Sequence, residues 1–399
     1  MTARKVLLVH SGTSLYGSDR SLLAIVSGLD TRRYVPVVVL PGEGPLLREL
    51  TRHKVEAHVL PVAILHRIYA PTYVCRLTRQ MAISVRCLRR FMRAHDVSLV
   101  HTNTSSVLSS GPAARLEHVP HICHVREIPR IPRLLRHLFA RFISWQSDRT
   151  IIISRAVREE FLGNVVPDRK VRLIHSAIDL ESFRGLPSRA EAKSQIGVPP
   201  EGPLIGMVGR VTPWKGHRSF VEAAGLIAGR VPGASFVVVG DADTRRNRRY
   251  CSELEARAEE LGLSQRLRFV GFRDDVSVYL AAMDVFVLPS SSPEPLGRVV
   301  LEAMASGTPV VATAHGGPVE VLEGGRCGLL VPPNDERALA EAVERLLEDP
   351  ELGARLAGEA MSRVQDFGVE RHIQAVEAVY DELLGGADPS GAARSGRRG

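Results

Sequence analysis

Short apolar runs alternate with longer amphipathic stretches over most of the chain. The runs Lys5 to His10 and Tyr34 to Leu40 are typical of buried strands, and the stretch that ends near Leu29 has helical spacing. Further apolar runs in the first half predict strands at 57–60, 97–102, 119–125, 150–153 and 171–174. Strands and helices in alternation predict an α/β protein with doubly wound parallel sheets.

The second half repeats this pattern after a stretch rich in Pro, Gly and Ser. Strands are predicted at 204–208, 234–240, 267–271, 284–288 and from Val310, and helices within 336–367 and over 369–384. A chain of 399 residues is too long for one ordinary core. We therefore predict a first domain at 1–185, a linker at 186–202, a second domain at 203–368, a C-terminal helix at 369–385 and a disordered tail at 386–399.

The stretch from 284 to 320 carries two carboxylates in a suggestive arrangement. Glu294 lies in a loop after a predicted strand, and Glu302 lies within a helix predicted over 296–305. Helical rise places them about 12 Å apart, roughly the span from the sugar to the ribose of a nucleotide sugar. The helix N-terminus between them suits a diphosphate, and Glu302 could hold ribose hydroxyls. The alternative is that both are ordinary solvated acids.

Two cations, Arg210 and Lys215, lie in the sequence GRVTPWKGH between a predicted strand and a helix that begins near His217. Charged donors beside a helix start are suited to binding a pyrophosphate group. The alternative is a cluster of surface charges without a ligand.

The sequence EPLGRVVLEAMASGTPVVAT strongly resembles the donor-site signature of the family 4 retaining glycosyltransferases, and GRVTPWKG resembles their diphosphate motif. The resemblance implies the GT-B fold, in which two Rossmann-like domains with doubly wound parallel sheets face each other across a cleft. It implies that Glu294 contacts the donor sugar, that Glu302 contacts the ribose, and that Arg210 and Lys215 bind the diphosphate. It also implies that the 369–385 helix crosses back to the first, acceptor-side domain.

Other donor-binding residues follow from the same resemblance. They are Gly12, Gly17, Gly209, Leu296, Gly297, Gly316 and Gly317. Gly12 and Gly17 resemble a glycine-rich loop after the first strand, although the common Gly-Gly pair is missing, and a plain turn is the alternative. Paired glycines such as Gly316 and Gly317 let backbone approach a phosphate closely.

His124 is the candidate active-site residue of the first domain. It ends a predicted strand in HVRE, which resembles the place where family members put a histidine beside the reacting sugar. The alternative is a structural hydrogen-bonding histidine. His121 lies three residues earlier, and on a strand this odd spacing points the two side chains to opposite faces, which disfavours a shared metal.

Composition limits the compartment and the cofactors. The five cysteines are scattered and include no Cys-x-x-Cys pair, which indicates a reducing compartment and argues against a disulfide framework or a cysteine zinc site. No apolar run approaches the length of about 20 residues that spans a membrane. We expect a cytoplasmic protein with no metal and no cofactor, for which the nucleoside-diphosphate sugar is a substrate.

The charge is distributed unevenly. Residues 1–193 carry 30 Lys and Arg against 15 Asp and Glu, whereas the remainder carries 22 against 29. The segments 67–93 and 126–149 combine arginines with apolar residues, as in helices that dock on anionic membranes. The alternative is that the apolar residues face the core and the arginines are merely solvated. The segments lack the motifs of a nucleic-acid-binding domain.

Together these features predict a metal-independent, retaining glycosyltransferase that acts in polysaccharide or glycolipid assembly. Its acceptor would be lipid-linked, and the protein would lie on the inner face of the cell membrane. Two alternatives remain open: a catalytically inactive GT-B-shaped binding subunit, and a GT-B sugar-nucleotide epimerase or phosphorylase. The base, the sugar and the acceptor stay open as well.

Overall fold

The computed structural model describes residues 3–65 and 71–385. The predicted tail at 386–399 and the first part of the basic segment 67–93 lie outside these residues. The described chain forms two sheets, and every strand pair in both of them is parallel. The prediction of two doubly wound parallel sheets is therefore confirmed.

The first sheet has seven strands in the order β3-β2-β1-β4-β5-β6-β7. The strands are β1 (Arg4–Val9), β2 (Tyr34–Leu40), β3 (Glu56–Val59), β4 (Leu99–Thr102), β5 (His121–Val125), β6 (Arg149–Ile152) and β7 (Val171–Leu173). The helices of this half are α1 (Gly17–Gly28), α2 (Pro45–Arg52), α3 (Pro71–Ala94), α4 (Ser110–Leu116), α5 (Arg133–Gln146) and the short α6 (Arg155–Val157). The strand order reverses between β1 and β4, and ligands of such sheets bind at this switch point.

The second sheet has six strands in the order β10-β9-β8-β11-β12-β13. The strands are β8 (Leu204–Val208), β9 (Ser235–Val239), β10 (Leu267–Phe269), β11 (Val285–Leu288), β12 (Val310–Thr313) and β13 (Leu329–Val331). Each strand predicted from the sequence begins within two residues of an observed one. The edge strand β13 was not predicted from the sequence.

The segment predicted as a linker contains a helix, α7 (Arg189–Gln195). Ser188 and Glu191 form a reciprocal capping box at its start, a strong local signal for a helix. The buried Lys193 Nζ lies 2.8 Å from Asp284 Oδ2, next to β11. The segment is therefore fastened to the second sheet and does not form a simple connection.

The remaining helices surround the second sheet and return to the first. They are α8 (His217–Arg230), α9 (Arg245–Glu260), α10 (Val276–Ala282), α11 (Arg298–Ala305), α12 (Gly317–Val321), α13 (Glu336–Glu348), α14 (Pro350–Val364) and α15 (Val369–Leu384). The last helix, α15, packs on α1 and buries Tyr380 in the core of the first sheet. Tyr380 and Tyr34 meet edge to face, with ring centroids 5.2 Å apart.

Contacts between the halves hold the carboxyl ends of both sheets together. One buried apolar cluster contains Cys123 and Val125 of β5 together with Phe286 and Leu288 of β11. Glu320 of α12 accepts a hydrogen bond from the backbone N–H of Arg155 and pairs with His175. In the part of the chain that the structure describes, no helix has the length and apolar character needed to span a bilayer.

Candidate active site

A cavity of about 450 Å³ lies where the carboxyl ends of the two sheets meet. Its lining includes Leu15, Tyr16, Gly17, Arg20, Val208, Gly209, Arg210, Thr212, Trp214, Lys215, Val239, Gly240, Asp241, Phe272, Arg273, Val276, Glu294, Arg298, Val299 and Glu302. This volume is in the range of sites that enclose small molecules and cofactors. Six of the predicted donor-binding residues line it: Gly17, Gly209, Arg210, Lys215, Glu294 and Glu302.

Lys215 and Glu294 form an ion pair inside this cavity. The Lys215 Nζ lies 2.9 Å from each carboxylate oxygen of Glu294, and the Ser290 hydroxyl donates to the same carboxylate over 3.0 Å. Gly216 follows Lys215 with a φ of 76°, and a Cβ there would lie 1.7 Å from the carbonyl oxygen of Pro289. The close approach of the two loops that forms this pair therefore requires glycine at 216.

Gly316 and Gly317 support Glu294 from behind. The N–H of Gly317 donates to the carbonyl of Glu294 over 2.7 Å. Gly316 has a φ of 83°, and a Cβ there would lie 2.4 Å from the same carbonyl oxygen. Gly12, Leu296, Gly297, Gly316 and Gly317 are not among the lining residues found in the described chain. Gly316 supports Glu294 through backbone geometry, and the donor-binding roles of all five residues stay predictions.

The helix α11 begins at Arg298, two residues later than predicted, because Gly297 has a φ of 84° and cannot be helical. It still begins between Glu294 and Glu302, so its free N–H groups lie between the carboxylates as expected. Arg298 Nε donates to Glu302 Oε1 over 3.1 Å. Sequence reasoning missed Arg298, although the spacing of four residues before Glu302 signals an ion pair on a helix.

The side chain of Arg210 lines the same cavity and is 43% exposed. Its guanidinium carbon is 4.5 Å from the centre of the Tyr16 ring, and its Nη1 is 3.3 Å from Asp243 Oδ2. Asp241-Ala242-Asp243 is an Asp-x-Asp sequence, which the prediction of metal-free chemistry overlooked. The Asp243 carboxylate is engaged by Arg210 and by the Asn247 amide, which donates over 2.7 Å.

The aromatic residues around the cavity were also missed by sequence reasoning. Trp214 lies between two cations, with the Arg130 guanidinium 3.7 Å and the Lys215 Nζ 4.4 Å from its ring centre. Tyr16 and Phe272 meet edge to face across the cavity, 6.4 Å between centroids. Such rings offer flat apolar surface and hold cations through the π face.

His124 is fully buried and is not among the residues that line the cavity. Its Nδ1 accepts from Arg126 over 3.2 Å, and it lies 3.2 Å from His101 Nε2. The Tyr380 hydroxyl is 2.7 Å from His101 Nδ1, so a donor chain runs from Tyr380 through His101 to His124. Because Nδ1 of His124 accepts these hydrogen bonds, the proton of His124 is on Nε2. This atom has no hydrogen-bond partner among the described residues.

Burial determines the protonation of this cluster. It lowers the pKa of His124 and of His101 well below the ordinary value, and the charge of Arg126 lowers both further. Burial likewise lowers the pKa of Arg126 to about 9, so its guanidinium still carries a charge at neutral pH. The cluster therefore consists of neutral histidines around one buried cation.

Arg126 is a further residue that sequence reasoning did not single out. Its guanidinium donates to the backbone carbonyl and side-chain oxygen of Asn103 and to the Ser176 hydroxyl, over 3.0–3.2 Å. Its position in HVRE beside His124 was the only available signal, because Asn103 and Ser176 are distant in sequence. The group anchors the ends of β4 and β5 next to the cavity.

Two family models match this chain. The model described as "Glycosyl transferases group 1" matches residues 188–363, and the model described as "Glycosyltransferase Family 4" matches residues 16–182. Together they account for most of both halves.

Characterised relatives match part of the chain. A lipopolysaccharide core biosynthesis glycosyltransferase of Rhizobium meliloti, LpsE, is 39% identical over 165 residues, which cover 41% of this chain and 45% of that protein. A 2-deoxystreptamine glucosyltransferase of Streptomyces kanamyceticus is 34% identical over 222 residues, covering 54% and 56%. The matched region spans about half the length of these relatives.

Solved structures match almost the whole chain. HepE of Anabaena in complex with UDP superposes with a TM-score of 0.79 at 26% identity, covering 95% of this chain and all of that one. WaaG, a glycosyltransferase involved in lipopolysaccharide biosynthesis, superposes with a TM-score of 0.70 at 18% identity, and this likeness concerns the fold alone. The motifs, the paired parallel sheets and both family models agree: each half of this chain matches a glycosyltransferase family model, the findings support a group 1 glycosyltransferase family, and the chain has the GT-B fold.

Proposed function

We propose that this protein is a retaining glycosyltransferase that moves a sugar from a nucleoside-diphosphate sugar to an acceptor hydroxyl in polysaccharide or glycolipid assembly. The observation that carries the proposal is the convergence of Arg210, Lys215, Glu294 and Glu302 around the start of α11 in one cavity. These groups provide cations for a diphosphate and carboxylates for sugar hydroxyls at its two ends.

In this proposal, the diphosphate of the donor binds to Arg210, to Lys215 and to the N-terminus of α11. Charge builds up on the diphosphate as the bond to the sugar breaks, and fixed cations and N–H groups stabilise it most in the transition state. The acceptor hydroxyl attacks on the face from which the diphosphate leaves, and a diphosphate oxygen takes its proton. No protein nucleophile and no metal ion are needed in this scheme.

The two acidic residues have separate tasks in this scheme. Glu302 accepts hydrogen bonds from the ribose hydroxyls, and Glu294 accepts them from the transferred sugar. In the structure Glu294 is paired with Lys215, and Glu302 with Arg298. A bound diphosphate would share both cations, so donor binding rearranges pairs that are already assembled. The active-site role that the resemblance implies for His124 stays a prediction: its Nε2–H has no acceptor within the described chain, but the side chain is fully buried and does not line the cavity.

A uridine diphosphate sugar is the donor to test first. HepE of Anabaena, which matches this chain at 25–26% identity, has been crystallised with UDP and with UDP-glucose. Phe272 and Arg273 line the cavity near the end of β10 and offer an aromatic face and a cation beside which a nucleobase can bind. The lipopolysaccharide-core transferase LpsE among the relatives supports an acceptor in glycolipid assembly.

A lipid-linked acceptor is supported by the surface of α5. Leu134, Leu138 and Trp145 lie along one side of this helix and are 70%, 52% and 50% exposed, whereas Phe139 and Ile143 face the core. These exposures favour the membrane prediction over the alternative in which the apolar residues of the segment face the core. Arginines 133, 136 and 141 accompany the exposed residues. Apolar side chains within a cationic rim suit an anionic membrane surface.

Donor binding is tested by calorimetry with UDP, GDP and ADP and their sugars, for the parent protein and the Arg210→Ala variant. A charge-assisted contact contributes about 1.5–3 kcal/mol, so the variant should bind roughly 10- to 150-fold more weakly. Equal affinity in both proteins would contradict the diphosphate assignment.

Activity that disappears with EDTA and returns with magnesium or manganese would contradict the metal-free scheme.

The reaction class is tested by incubating the preferred nucleotide sugar with and without candidate acceptors. Transfer with retention of the anomeric configuration, followed by NMR, is expected only when acceptor is present. Turnover of the nucleotide sugar alone to another sugar nucleotide would favour the epimerase, and binding without any turnover would favour an inactive subunit.

Co-sedimentation with anionic and neutral vesicles at low and high salt tests the membrane surface, since screening should release a protein held by charge.

A further inference from the structure

Three potential metal ligands converge on one outer edge of the first sheet. Glu56 and His58 lie two residues apart in β3, so both side chains point to the same face of this edge strand. His95 directly follows α3 and reaches the same point. Their ligand atoms all lie within 4.8 Å of one another. We propose that Glu56, His58 and His95 bind one zinc ion, which joins the edge strand β3 to the end of α3.

Two of the three ligand separations bracket the spacing expected around a zinc ion. His58 Nε2 is 2.8 Å and His95 Nε2 is 3.6 Å from Glu56 Oε1. Zinc bonds to nitrogen and oxygen of about 2.0–2.1 Å place neighbouring tetrahedral ligands about 3.3–3.4 Å apart, between the two observed values. Two imidazoles and a carboxylate form a common donor set for zinc, and water would complete the coordination.

The two histidines are already oriented for this task. His95 Nδ1 lies 3.0 Å from the backbone carbonyl of Phe91, to which it donates, so its Nε2 lone pair is left for a metal. The His95 ring stacks on Phe91 with centroids 3.8 Å apart, and the His58 ring meets Phe91 edge-on at 4.9 Å. Phe91 is itself buried in the core of the first sheet. Zinc would therefore bind ligands whose rings are held in place by packing.

The position indicates a structural role. Glu56 begins β3, and His95 lies where α3 returns toward the start of β4, so the cluster is at the amino ends of the strands. Substrates of parallel sheets bind at the opposite, carboxyl ends. Within 3–65 and 71–385, none of the three residues lines the donor cavity. The ion would close the loop of chain between β3 and the end of α3, and the proposal is independent of the transfer reaction.

The test is zinc binding to the full-length, untagged, metal-free protein. Calorimetry should give one zinc per chain, and cobalt in its place should show the intense visible absorption of a four-coordinate site. With zinc at about 100 times its dissociation constant, mass action and a protein of 399 residues predict a rise in Tm of about 3 °C. His58→Gln and His95→Gln should lose both the binding and the rise in Tm.

The matched control is His137→Gln, which removes an exposed histidine of α5 and should bind zinc like the parent. Unchanged zinc binding in both His58→Gln and His95→Gln would overturn the proposal, as would the absence of binding in the parent. Transfer activity should be the same in His58→Gln as in the parent. If EDTA abolishes the activity of both the parent and His58→Gln, the reaction needs a metal ion bound elsewhere. This result would contradict the metal-free reaction but not the proposed zinc site.

Discussion

The two sides of the cavity neutralise charge in different ways. On the side of the second sheet, each cation has an acidic partner: Lys215 pairs with Glu294, Arg298 with Glu302 and Arg210 with Asp243. On the side of the first sheet, Arg126 is buried and, within the described chain, contacts only neutral groups through its guanidinium. Under the proposed function, the ion pairs of the second-sheet side exchange partners when the donor diphosphate binds, whereas the Arg126 group stays buried away from water.

This difference matches the tasks of the two sides. The Arg210–Asp243 pair lies near solvent and has a small net energy, so under the proposed function a diphosphate can replace its carboxylate at little cost. A buried cation without a carboxylate is costly to maintain and is retained only where hydrogen bonds satisfy it fully. The Arg126 group therefore fixes the ends of β4 and β5, and with them His124, in one geometry. Substitutions on the side of the first sheet should act mainly on stability. Substitutions on the side of the second sheet should act mainly on donor binding and turnover.

The largest effect is expected from acid. Burial lowers the pKa of His121 and of His372 to about 4, and it lowers the pKa of His101 and His124 as well. In the unfolded chain these histidines titrate near pH 6.5, so below that pH the unfolded state binds more protons and stability falls. His121 and His372 should each remove about 1.4 kcal/mol per pH unit between pH 6.5 and 4.

Thermal unfolding at pH 7.5, 6 and 5 measures this dependence. We expect a steep fall in Tm below pH 6.5, and a smaller fall in His372→Gln, which removes one of the buried groups. His137→Gln is the control, because this histidine is exposed and should leave the slope unchanged. A Tm that stays constant from pH 7.5 to 5 would show that the buried histidines are not held neutral by the fold.

Lys215→Ala should produce the next largest effect, a loss in kcat/KM of about 100- to 1,000-fold. The variant removes a donor to the leaving diphosphate, and loss of one such preorganised donor typically costs this much. It also leaves the buried Glu294 without its counter-ion. The loss should exceed that of Arg210→Ala, whose side chain is half exposed. Arg246→Ala, an exposed cation on α9 outside the cavity, should match the parent in steady-state kinetics.

The contrast between the two sides also explains what the sequence could predict. Glu294, Glu302, Arg210 and Lys215 lie in two short segments, so local spacing and the motifs were sufficient to predict that they share one site. The pairing of Lys215 with Glu294 was not predicted, because it depends on the contact of Gly216 with Pro289 across the sheet. The parallel sheets followed from the alternation of apolar and amphipathic segments, which is a local property.

The first-sheet cluster could not be predicted in the same way. His101, Arg126 and Tyr380 come from β4, the end of β5 and α15, and only the folded chain brings them together. The capping box of α7 was available in the sequence but was outweighed by the surrounding Pro and Gly residues. The GT-B resemblance implied an active-site role for His124, which stays a prediction, and the structure adds the hydrogen bonds that set its tautomer.

Arg126→Ala should mainly reduce stability, by about 2–3 kcal/mol. It leaves the carbonyl and side-chain oxygen of the buried Asn103 without a donor, and each unsatisfied buried group costs about 1–3 kcal/mol. Removal of a costly buried charge offsets part of this loss. The measurement is thermal or urea unfolding at pH 7.5. Arg184→Ala, which breaks an exposed pair with Glu181, should stay within about 0.5 kcal/mol of the parent. Equal stability of both variants would mean that the Arg126 group does not fasten the strand ends.

Glu302→Gln should have the smallest effect, a rise in the donor KM of about 10-fold with little change in kcat. The ribose is held alike in the ground state and the transition state, so loss of its contact weakens binding without slowing the chemical step. Glutamine keeps the size of the side chain and one acceptor, which limits the loss to about 1.4 kcal/mol. The comparison is with Glu294→Gln, where kcat should fall because this residue faces the reacting sugar. Unaltered nucleotide affinity in Glu302→Gln would contradict the proposed contact of Glu302 with the ribose. Equal kcat in both variants would contradict the proposal that Glu302 binds the ribose and Glu294 the transferred sugar.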